Sequence, residues 1–347
     1  MNSIYGKIAD HVVATVDFSP LRGKAVSLTG VNGLLGSHLL HALSVANRKL
    51  DLSLQVVGTS RSGPAPWIKD VFDQEKFRYV QLDLRGPFAS SRLGKPDYLI
   101  HAATYGQPKK FLEDPLGTMT LNSQVTAQLL DLVSEKNGRF LFASSSEIYG
   151  NPPRELMPVG ESYHGNTSPL DHRSPYTSSK RFGETLCKIY QDLGRVHARI
   201  ARVSSVYGPG VNLTDDRVLN VFIRRALDTG ALTMLDRGLQ KRHWLYISDA
   251  TAMLAYILMH AKEMVYNVSG SDLRSIADLA SYIGEELDIP VVTPSIEDTA
   301  NHTEGAPDMI NMDNSRILHE MQMSNLVPLR QGVADCIAWN RTLLKTG

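Results

Sequence analysis

A tyrosine and a lysine one helical turn apart are the residues of this sequence best suited to acid–base chemistry. Tyr176 and Lys180 occupy positions i and i+4 of a predicted helix, so their side chains share one face. A nearby ammonium stabilises a phenolate and lowers the pKa of a tyrosine, which would make Tyr176 a base near neutral pH. Taken alone, the spacing also fits an ordinary pair on a surface helix.

A cluster of hydroxyls ends the predicted strand that precedes this helix. Ser144, Ser145 and Ser146 are followed directly by Glu147. The carboxyl ends of strands border the ligand crevice of a parallel sheet, where a hydroxyl can polarise a substrate oxygen by hydrogen bonding. Without Tyr176 nearby, the cluster would fit a turn with a helix cap equally well.

A glycine-rich turn lies near the start of the chain. The apolar run Ala25–Leu28 is followed by Gly30, Gly33 and Gly36 and then by apolar residues at helical spacing. In such a strand–turn–helix unit, Gly30 permits the turn, Gly33 lets a pyrophosphate approach the backbone, and Gly36 allows the helix to pack on the strand. The free N–H groups of the helix would hold the anion. The unit predicts a dinucleotide site.

Apolar strands alternate with helices through the first two thirds of the chain, which predicts an α/β fold with a doubly wound parallel sheet covered on both faces. The predicted strands are Ser53–Thr59, Phe77–Asp83, Tyr98–Ala103, Arg139–Ser145 and His197–Val206, and the long helices are Leu116–Val133 and Pro175–Leu193.

Three regions are expected from this pattern. Residues 1–22 would form an N-terminal helical extension, and residues 23–207, with returning segments near 240–265, the dinucleotide-binding Rossmann domain. Residues 208–347 would form mainly a smaller α/β lobe that binds substrate over the carboxyl ends of the strands.

Composition excludes several classes of protein. The chain has 347 residues, with 36 Lys+Arg against 36 Asp+Glu, which argues against a general nucleic-acid surface. Neither the cysteines Cys187 and Cys336 nor the histidines show metal-ligand spacing, so no metal is predicted. We expect a cytoplasmic protein without a leader, because the N-terminus lacks a long apolar core and the longest apolar stretch, near Ala250–Leu258, is too short to span a bilayer.

Five motifs, in order, resemble those of the extended short-chain dehydrogenases, which include the NAD-dependent nucleotide-sugar epimerases, dehydratases and decarboxylases. The motifs are Thr29–Gly36, Ser144–Gly150, Tyr176–Lys180, Arg202–Pro209 and Gln240–Asp249, and the resemblance covers roughly residues 22 to 345. It implies a tightly held NAD, a nucleoside-diphosphate sugar substrate oxidised transiently at C4, and a homodimer formed through the two long helices.

The resemblance also implies roles for individual residues. Tyr176 resembles the base for the C4 hydroxyl, Lys180 the residue that lowers its pKa and contacts the nicotinamide ribose, and Ser145 the donor to the same oxygen. Asp83 resembles the aspartate that contacts adenine. Arg242 resembles the arginine that grips the substrate diphosphate, for which a guanidinium is suited.

The full set of contacts implied by the resemblance is larger. The cofactor-binding residues are Gly30, Asn32, Gly33, Leu34, Leu35, Gly36, Ser60, Arg61, Asp83, Leu84, Ala102, Ala103, Thr104, Asn122, Tyr176, Lys180 and Val203. The substrate-binding residues are Ser205, Asn212, Arg217, Val218 and Arg242.

Within the family, the Ser146–Glu147 pair is similar to that of the UDP-glucuronate decarboxylases, whereas the 4,6-dehydratases have Asp-Glu there. Oxidation at C4 turns a C5 carboxylate into a β-keto acid, which can lose carbon dioxide without a metal. Ser146 and Glu147 would position the C5 substituent. Lys109, Lys110 and Arg173 are further candidates to meet a carboxylate, although solvated surface positions fit each of them better.

Alternatives stay open at this point. A 4-epimerase or a 4,6-dehydratase would use the same C4 chemistry. Arg61 with Ser60, at the end of the second strand, suits the 2′-phosphate of NADP, so a net NADP-dependent oxidoreductase of a small alcohol or ketone is a rival. A non-catalytic dinucleotide-binding sensor is a third class, which the combination of Ser145, Tyr176 and Lys180 disfavours.

Overall fold

The computed structural model describes residues 4–295 and 308–346. The strands, in chain order, are β1 (Ala25–Thr29), β2 (Gln55–Ser60), β3 (Phe77–Gln81), β4 (Tyr98–His101), β5 (Arg139–Ser145), β6 (His197–Val203), β7 (Ser205–Tyr207), β8 (Leu232–Thr233), β9 (Lys241–Tyr246), β10 (Val265–Val268), β11 (Leu273–Ser275), β12 (Val291–Val292) and β13 (Met309–Ile310). Seven of them form one parallel sheet in the order β3-β2-β1-β4-β5-β6-β10. The predicted doubly wound α/β fold is confirmed.

Helices cover both faces of this sheet. In chain order they are α1 (Ile4–Thr15), α2 (Leu34–Leu50), α3 (Pro108–Glu113), α4 (Pro115–Asn122), α5 (Gln124–Ser134), α6 (Ser174–Asp192), α7 (Val218–Thr229), α8 (Ile247–Met259), α9 (Ile276–Leu287), α10 (Ser315–Met321) and α11 (Leu329–Thr346). In the described part of the chain, no helix is both long enough and apolar enough to cross a membrane.

The core divides into two apolar layers because strand side chains alternate between the faces of the sheet. In β5, Phe140 and Phe142 join the layer that contains Leu129 of α5, whereas Leu141 joins the layer that contains Leu40 of α2. Burial on both faces explains why β5 reads as a continuous apolar run. Its polar end, Ser144 and Ser145, is thereby fixed at the edge of the core.

The predicted strand His197–Val206 is wrong in one respect, because the chain changes sheets at Ser204. The Ser204 N–H donates to the Val268 carbonyl (2.9 Å) and its hydroxyl to the His243 carbonyl (3.0 Å). These bonds direct β7 away from the large sheet and onto β9, in a small sheet that also contains β11 and β13.

The predicted helix Leu116–Val133 is likewise two helices, α4 and α5. Ser123 separates them with φ −119° and ψ −82°, and its hydroxyl donates to the Met119 carbonyl (2.6 Å). A serine that bonds its own backbone in this way competes with regular helical bonding. The short helix α3 was not predicted. The polar sequence of Val291–Asn311 predicts an irregular segment; its two ends contain the short strands β12 and β13, and residues 296–307 lie outside the described residues.

The N-terminal helix expected from the sequence is α1. It packs against α2 and α8 of its own chain and buries Tyr5, Ile8 and Val12. The first region of the sequence therefore contributes to the core beside the glycine turn.

Candidate active site

The glycine turn leaves a cradle that has no room for side chains. Gly30 has φ +78°, and a Cβ there would lie 2.7 Å from the Ala102 carbonyl oxygen. A Cβ on Gly36 would overlap the Gly30 carbonyl. Gly36 therefore packs the helix against the turn itself, rather than against the strand as expected.

The start of α2 completes an anion site. Gly33 is the residue before the helix, which begins with Leu34 and Leu35. The first N–H groups of a helix have no partner within the helix and carry the positive end of its dipole. Two buried side-chain atoms, Thr104 Oγ1 in the loop after β4 and Asn122 Oδ1 at the end of α4, have no hydrogen-bond partner in the described protein. Cradle, helix terminus and these polar atoms fit a dinucleotide.

Asn32, in the same turn, supports the loop after β2. Its amide nitrogen donates to the Ser62 hydroxyl (3.2 Å) and the Gly63 carbonyl (2.8 Å), and its oxygen accepts from the Ala65 N–H (2.9 Å). These bonds engage both ends of the amide. In this structure the Asn32 side chain shapes the loop rather than reaching into the crevice.

A charged network lies at the end of the crevice where adenine is expected. Arg85 binds Asp83 through two nitrogens (3.0 and 2.6 Å) and Asp114 through a third contact (2.7 Å). The hydrogen bond from Arg85 lowers the pKa of Asp83. Arg61 donates to the Tyr105 hydroxyl (3.1 Å) on the rim of this network. Asp83 is thus an ionised carboxylate held in place by a guanidinium.

Other residues predicted to contact a cofactor border the same crevice. Ser60 ends β2 and is bonded to the Tyr79 hydroxyl (2.6 Å). The positions placed at strand ends or just beyond them are Leu84, Ala102, Ala103 and Val203.

Ser145 and Tyr176 meet at the carboxyl end of β5. The Ser145 side chain lies beside the Tyr176 phenol, and its oxygen accepts from the Glu147 N–H (3.2 Å). Tyr176 is 5% exposed. Burial is the largest cause that raises the pKa of Tyr176, and the Glu147 carboxylate adds to it, while Ser145 and Arg173 oppose it. The expected lowering of this pKa by Lys180 is therefore not seen.

Lys180 lies on the same helix face, as predicted, but its ammonium is directed at the backbone. It donates to the Ala143 carbonyl of β5 and lies 4.7 Å from the centre of the Phe142 ring. Burial lowers the pKa of Lys180 to about 7, although Glu184 opposes the shift. The Lys180 side chain is thus buried against β5.

Arg173 is not the solvated surface charge that the sequence predicts. Its side chain is 12% exposed, and it binds both oxygens of Glu147 (2.6 and 3.1 Å). The guanidinium also lies 5.0 Å from the centre of the Phe111 ring, and Phe111 stacks on Tyr176 with centroids 4.5 Å apart and planes at 8°. Neither the stacking of Phe111 on Tyr176 nor this use of Arg173 was predicted from the sequence. Lys109, by contrast, is exposed and pairs with Asp216 (3.2 Å).

The residues predicted to bind substrate lie in the part of the chain that runs from β7 to β9. Arg242 of β9 is half-buried, donates to the Lys241 carbonyl (2.8 Å), and interacts electrostatically with Glu147 and Arg173. Its guanidinium thus lies near the Ser–Tyr group. Ser205 begins β7 at the same edge.

The segment after β7 is held by a carboxylate. Arg217 binds Asp215 through two bonds (2.9 and 2.8 Å), and Gln107 from the loop after β4 donates to the same carboxylate (2.5 Å). The Asn212 oxygen accepts from Thr214, and Val218 begins α7. The bonds to Asp215 connect the two walls of the crevice.

Within residues 4–295 and 308–346, no group of three histidine, cysteine or acidic side chains is arranged to hold a metal. The functional groups of the candidate site are hydroxyl, phenol, ammonium, carboxylate and guanidinium groups. These groups can exchange a proton with a substrate oxygen and bind anions.

Fold and site together define a protein of the extended short-chain dehydrogenase type. The sequence model of the NAD dependent epimerase/dehydratase family matches residues 26–269, and the chain belongs to this family. The predicted resemblance is thereby confirmed.

Named relatives are similar over most of the chain. UDP-glucuronic acid decarboxylase 3 of Arabidopsis thaliana is 29% identical over 323 residues, which are 91% of this chain and 90% of that protein. UDP-glucuronic acid decarboxylase 1 of Xenopus tropicalis is 29% identical over 260 residues, which are 75% of this chain. The chain spans 59% of the length of that frog protein.

Among solved structures, the UDP-glucuronic acid 4-epimerase of Bacillus cereus, in complex with UDP-glucuronic acid and NAD, superposes with a TM-score of 0.77. It is 26% identical, and the match covers 92% of this chain and 99% of the epimerase. A UDP-N-acetylglucosamine 4-epimerase of Methanobrevibacter ruminantium, 22% identical with a TM-score of 0.77, has the same fold over 92% of this chain and 98% of its own.

Proposed function

We propose that this chain is an enzyme that decarboxylates a UDP-uronate through a 4-keto sugar, with NAD as its bound cofactor. The observation that carries the proposal is that Ser145 and Tyr176 lie together at the end of β5, beside the carboxylate of Glu147. The similarity to UDP-glucuronic acid decarboxylases over 91% of the chain supports the choice of substrate.

Bound NAD supplies the acceptance and return of a hydride at C4 of the sugar. Gly30, Gly33 and the start of α2 would hold its pyrophosphate, and Asp83 its adenosine. Ser145 donates a hydrogen bond to the C4 oxygen. Tyr176 takes the proton from the C4 hydroxyl and gives it back when the ketone is reduced again.

The decarboxylation itself needs no further cofactor. The C5–carboxylate bond breaks, and its electron pair moves into the C4 ketone to form an enolate. Carbon dioxide leaves, and a proton is added to C5 to restore the ketone. In this proposal, Glu147 and Ser146 orient the substrate carboxylate and control this proton transfer. Arg242 binds the diphosphate.

A test is to incubate the protein with UDP-glucuronate and to measure both carbon dioxide and the mass of the sugar nucleotide. The proposal expects carbon dioxide and a UDP-pentose in equal amounts, with no lasting change in cofactor absorbance. Steady accumulation of reduced cofactor would point to a net oxidoreductase. Firm dinucleotide binding without any turnover would point to a sensor.

A 4-epimerase is the second candidate, favoured by the likeness to the Bacillus cereus UDP-glucuronic acid 4-epimerase. The two reactions share the step at C4 and differ in whether the C5 carboxylate is lost. UDP-galacturonate without carbon dioxide in the same assay would replace the decarboxylase with the epimerase.

We also propose that the chain acts as a homodimer in the cytoplasm. The helices α4 and α6 pack side by side and expose apolar side chains to solvent. These side chains, with their exposed fractions, are Leu116 (78%), Met119 (43%), Phe182 (52%) and Ile189 (45%). A second copy of the same two helices would cover this face in a four-helix arrangement, as the family resemblance implies.

A further inference from the structure

We propose that Arg173 is a positioning residue that sets both the carboxylate of Glu147 and the phenol of Tyr176 for reaction. It is placed where three elements meet: the single turn Ser146–Tyr149 after β5, the helix α3, and the first turn of α6. The part that concerns Glu147 and loss of the carboxyl group rests on the proposed function. The part that concerns Tyr176 applies to any reaction that begins at C4.

The contact with Glu147 fixes a charge in one orientation. Two nitrogens of the guanidinium bind the two carboxylate oxygens, at 2.6 and 3.1 Å, and both side chains are mostly buried. Paired hydrogen bonds between planar groups define direction as well as distance. Glu147 consequently cannot turn away from the crevice while the pair is intact.

The contact with Phe111 extends the influence of the arginine to the phenol. The guanidinium carbon lies 5.0 Å from the Phe111 ring centre, and the same ring stacks in parallel on Tyr176 with ring centroids 4.5 Å apart. Phe111 is fully buried. Because Phe111 lies in contact with both residues, a shift of the guanidinium would let the phenol ring move.

The charges around Tyr176 point the same way. Glu147 disfavours the phenolate and Arg173 favours it, while Lys180 on the same helix faces Ala143 and Arg242 on β9 acts on Glu147 and Arg173. Neutralising Arg173 would leave the Glu147 charge unopposed beside the phenol. The pKa of Tyr176 would then rise further, and C4 oxidation would need a higher pH.

Arginine is required by this arrangement, since lysine has no planar fork and cannot bind both oxygens of Glu147 while lying flat over Phe111. Arg173→Lys therefore keeps the charge and removes the geometry, whereas Arg173→Met removes both. Arg202→Lys is the matched control. Arg202 also forms a buried pair, with Glu184, at 12% and 11% exposure, and its other hydrogen bonds go to Tyr149 and the Glu161 carbonyl.

The experiment separates the two chemical steps in the NAD-loaded protein with UDP-glucuronate. Transient absorbance of reduced cofactor in a single turnover measures C4 oxidation, and carbon dioxide measures the second step. Both are followed across pH, together with the thermal midpoint. We expect Arg173→Lys to slow C4 oxidation by about tenfold to a hundredfold, and Arg173→Met to move its pH dependence upwards as well. Arg202→Lys is expected to lower the thermal midpoint without moving the pH dependence.

Wild-type rates and pH dependence in Arg173→Lys and Arg173→Met would overturn the proposal. So would losses that merely follow the thermal midpoint in the same proportion as in Arg202→Lys, since that result describes a structural role. A wild-type protein that shows the absorbance transient but releases no carbon dioxide would refute the decarboxylase alone. A wild-type protein that shows neither the transient nor carbon dioxide would refute both proposals.

Discussion

The ammonium of Lys180 lies 5.8 Å from the centre of the Tyr176 ring, yet its hydrogen bond goes to the Ala143 carbonyl. The two residues thus share a helix face without a direct bond between nitrogen and phenol. Lys180 is also 1% exposed, and its burial outweighs the attraction of Glu184. Its charge state therefore depends on pH in a range where proteins are usually studied.

This burial predicts a pH-dependent stability. The pKa of Lys180 is about 7 in the folded chain and close to 10.4 in an unfolded one, so between these values the unfolded state alone binds the proton. Stability from this group consequently rises with pH, by at most about 1.4 kcal/mol per pH unit. Lys180→Met lacks this ionisable group. We therefore expect the free energy of unfolding of the wild type to rise relative to that of the variant between pH 7 and pH 9, as measured by urea unfolding. Parallel curves for the two proteins would contradict this.

Replacement of the phenol tests the proposed base. Tyr176→Phe keeps the ring against Phe111 but removes the group that exchanges the C4 proton. We expect the fold and the affinity for NAD to be retained, and turnover to fall by about 10²–10⁴-fold. Steady-state kinetics and calorimetric NAD titration provide the measurement. Near-normal turnover would remove Tyr176 from the mechanism.

The glycine cradle predicts which small substitution is harmful. A Cβ at Gly36 would collide with the Gly30 carbonyl, whereas a Cβ at Gly63 meets no atom within 4 Å. We expect Gly36→Ala to weaken NAD binding at least about tenfold, because the helix must move away from the turn that holds the pyrophosphate. Gly63→Ala is the control and is expected to bind normally. Equal affinities in a fluorescence titration would count against the cradle.

Cofactor preference can be tested at the end of β2. Arg61 donates to the Tyr105 hydroxyl, while the neighbouring Arg85 is held by the two carboxylates of Asp83 and Asp114. An arginine at this place can bind the 2′-phosphate of NADP. We expect Arg61→Ala to lower the affinity for NADP about tenfold and to leave that for NAD nearly unchanged. Loss of affinity for both dinucleotides alike would exclude a role in selecting between them.

The exposed face of α4 and α6 predicts how the dimer can be broken. Phe182→Asp places a charge in the middle of this face, and we expect sedimentation at micromolar concentration to show a monomer. Leu170→Asp is the control, since Leu170 is 94% exposed and lies outside both helices. A wild-type protein that sediments only as a monomer would refute the proposed homodimer.

Regular elements could be predicted from the sequence where local and long-range signals agree. Arg139–Ser145 is the observed strand without change, because its apolar run is buried on both faces. The sequence also predicts a helix over Ile276–Leu287, which is the observed α9 and starts at a capping box formed by Ser275 and Asp278. The break at Ser123 was not predictable in this way, since apolar spacing continues through it and only a side-chain bond reveals it.

The residues of the candidate site could be predicted from the sequence, but their arrangement in space could not. The spacing of Tyr176 and Lys180 placed both on one face, but the carbonyl that receives the lysine belongs to another element. Arg173 appears in the sequence as one more cation before a helix. Its importance comes from Glu147 and Phe111, which lie 26 and 62 positions away in sequence and meet it only in the folded chain.

The change of sheets at Ser204 has a consequence for how the molecule unfolds. One strand path, β6 and β7, belongs to both sheets, and the chain later passes from β9 in the small sheet through α8 to β10 at the edge of the large one. Neither sheet is therefore made from one uninterrupted stretch of chain. A break in the backbone at either crossing would separate a strand from its partners in the sheet. Because the two sheets share the chain in this way, we expect the two halves of the crevice to unfold in one cooperative calorimetric transition.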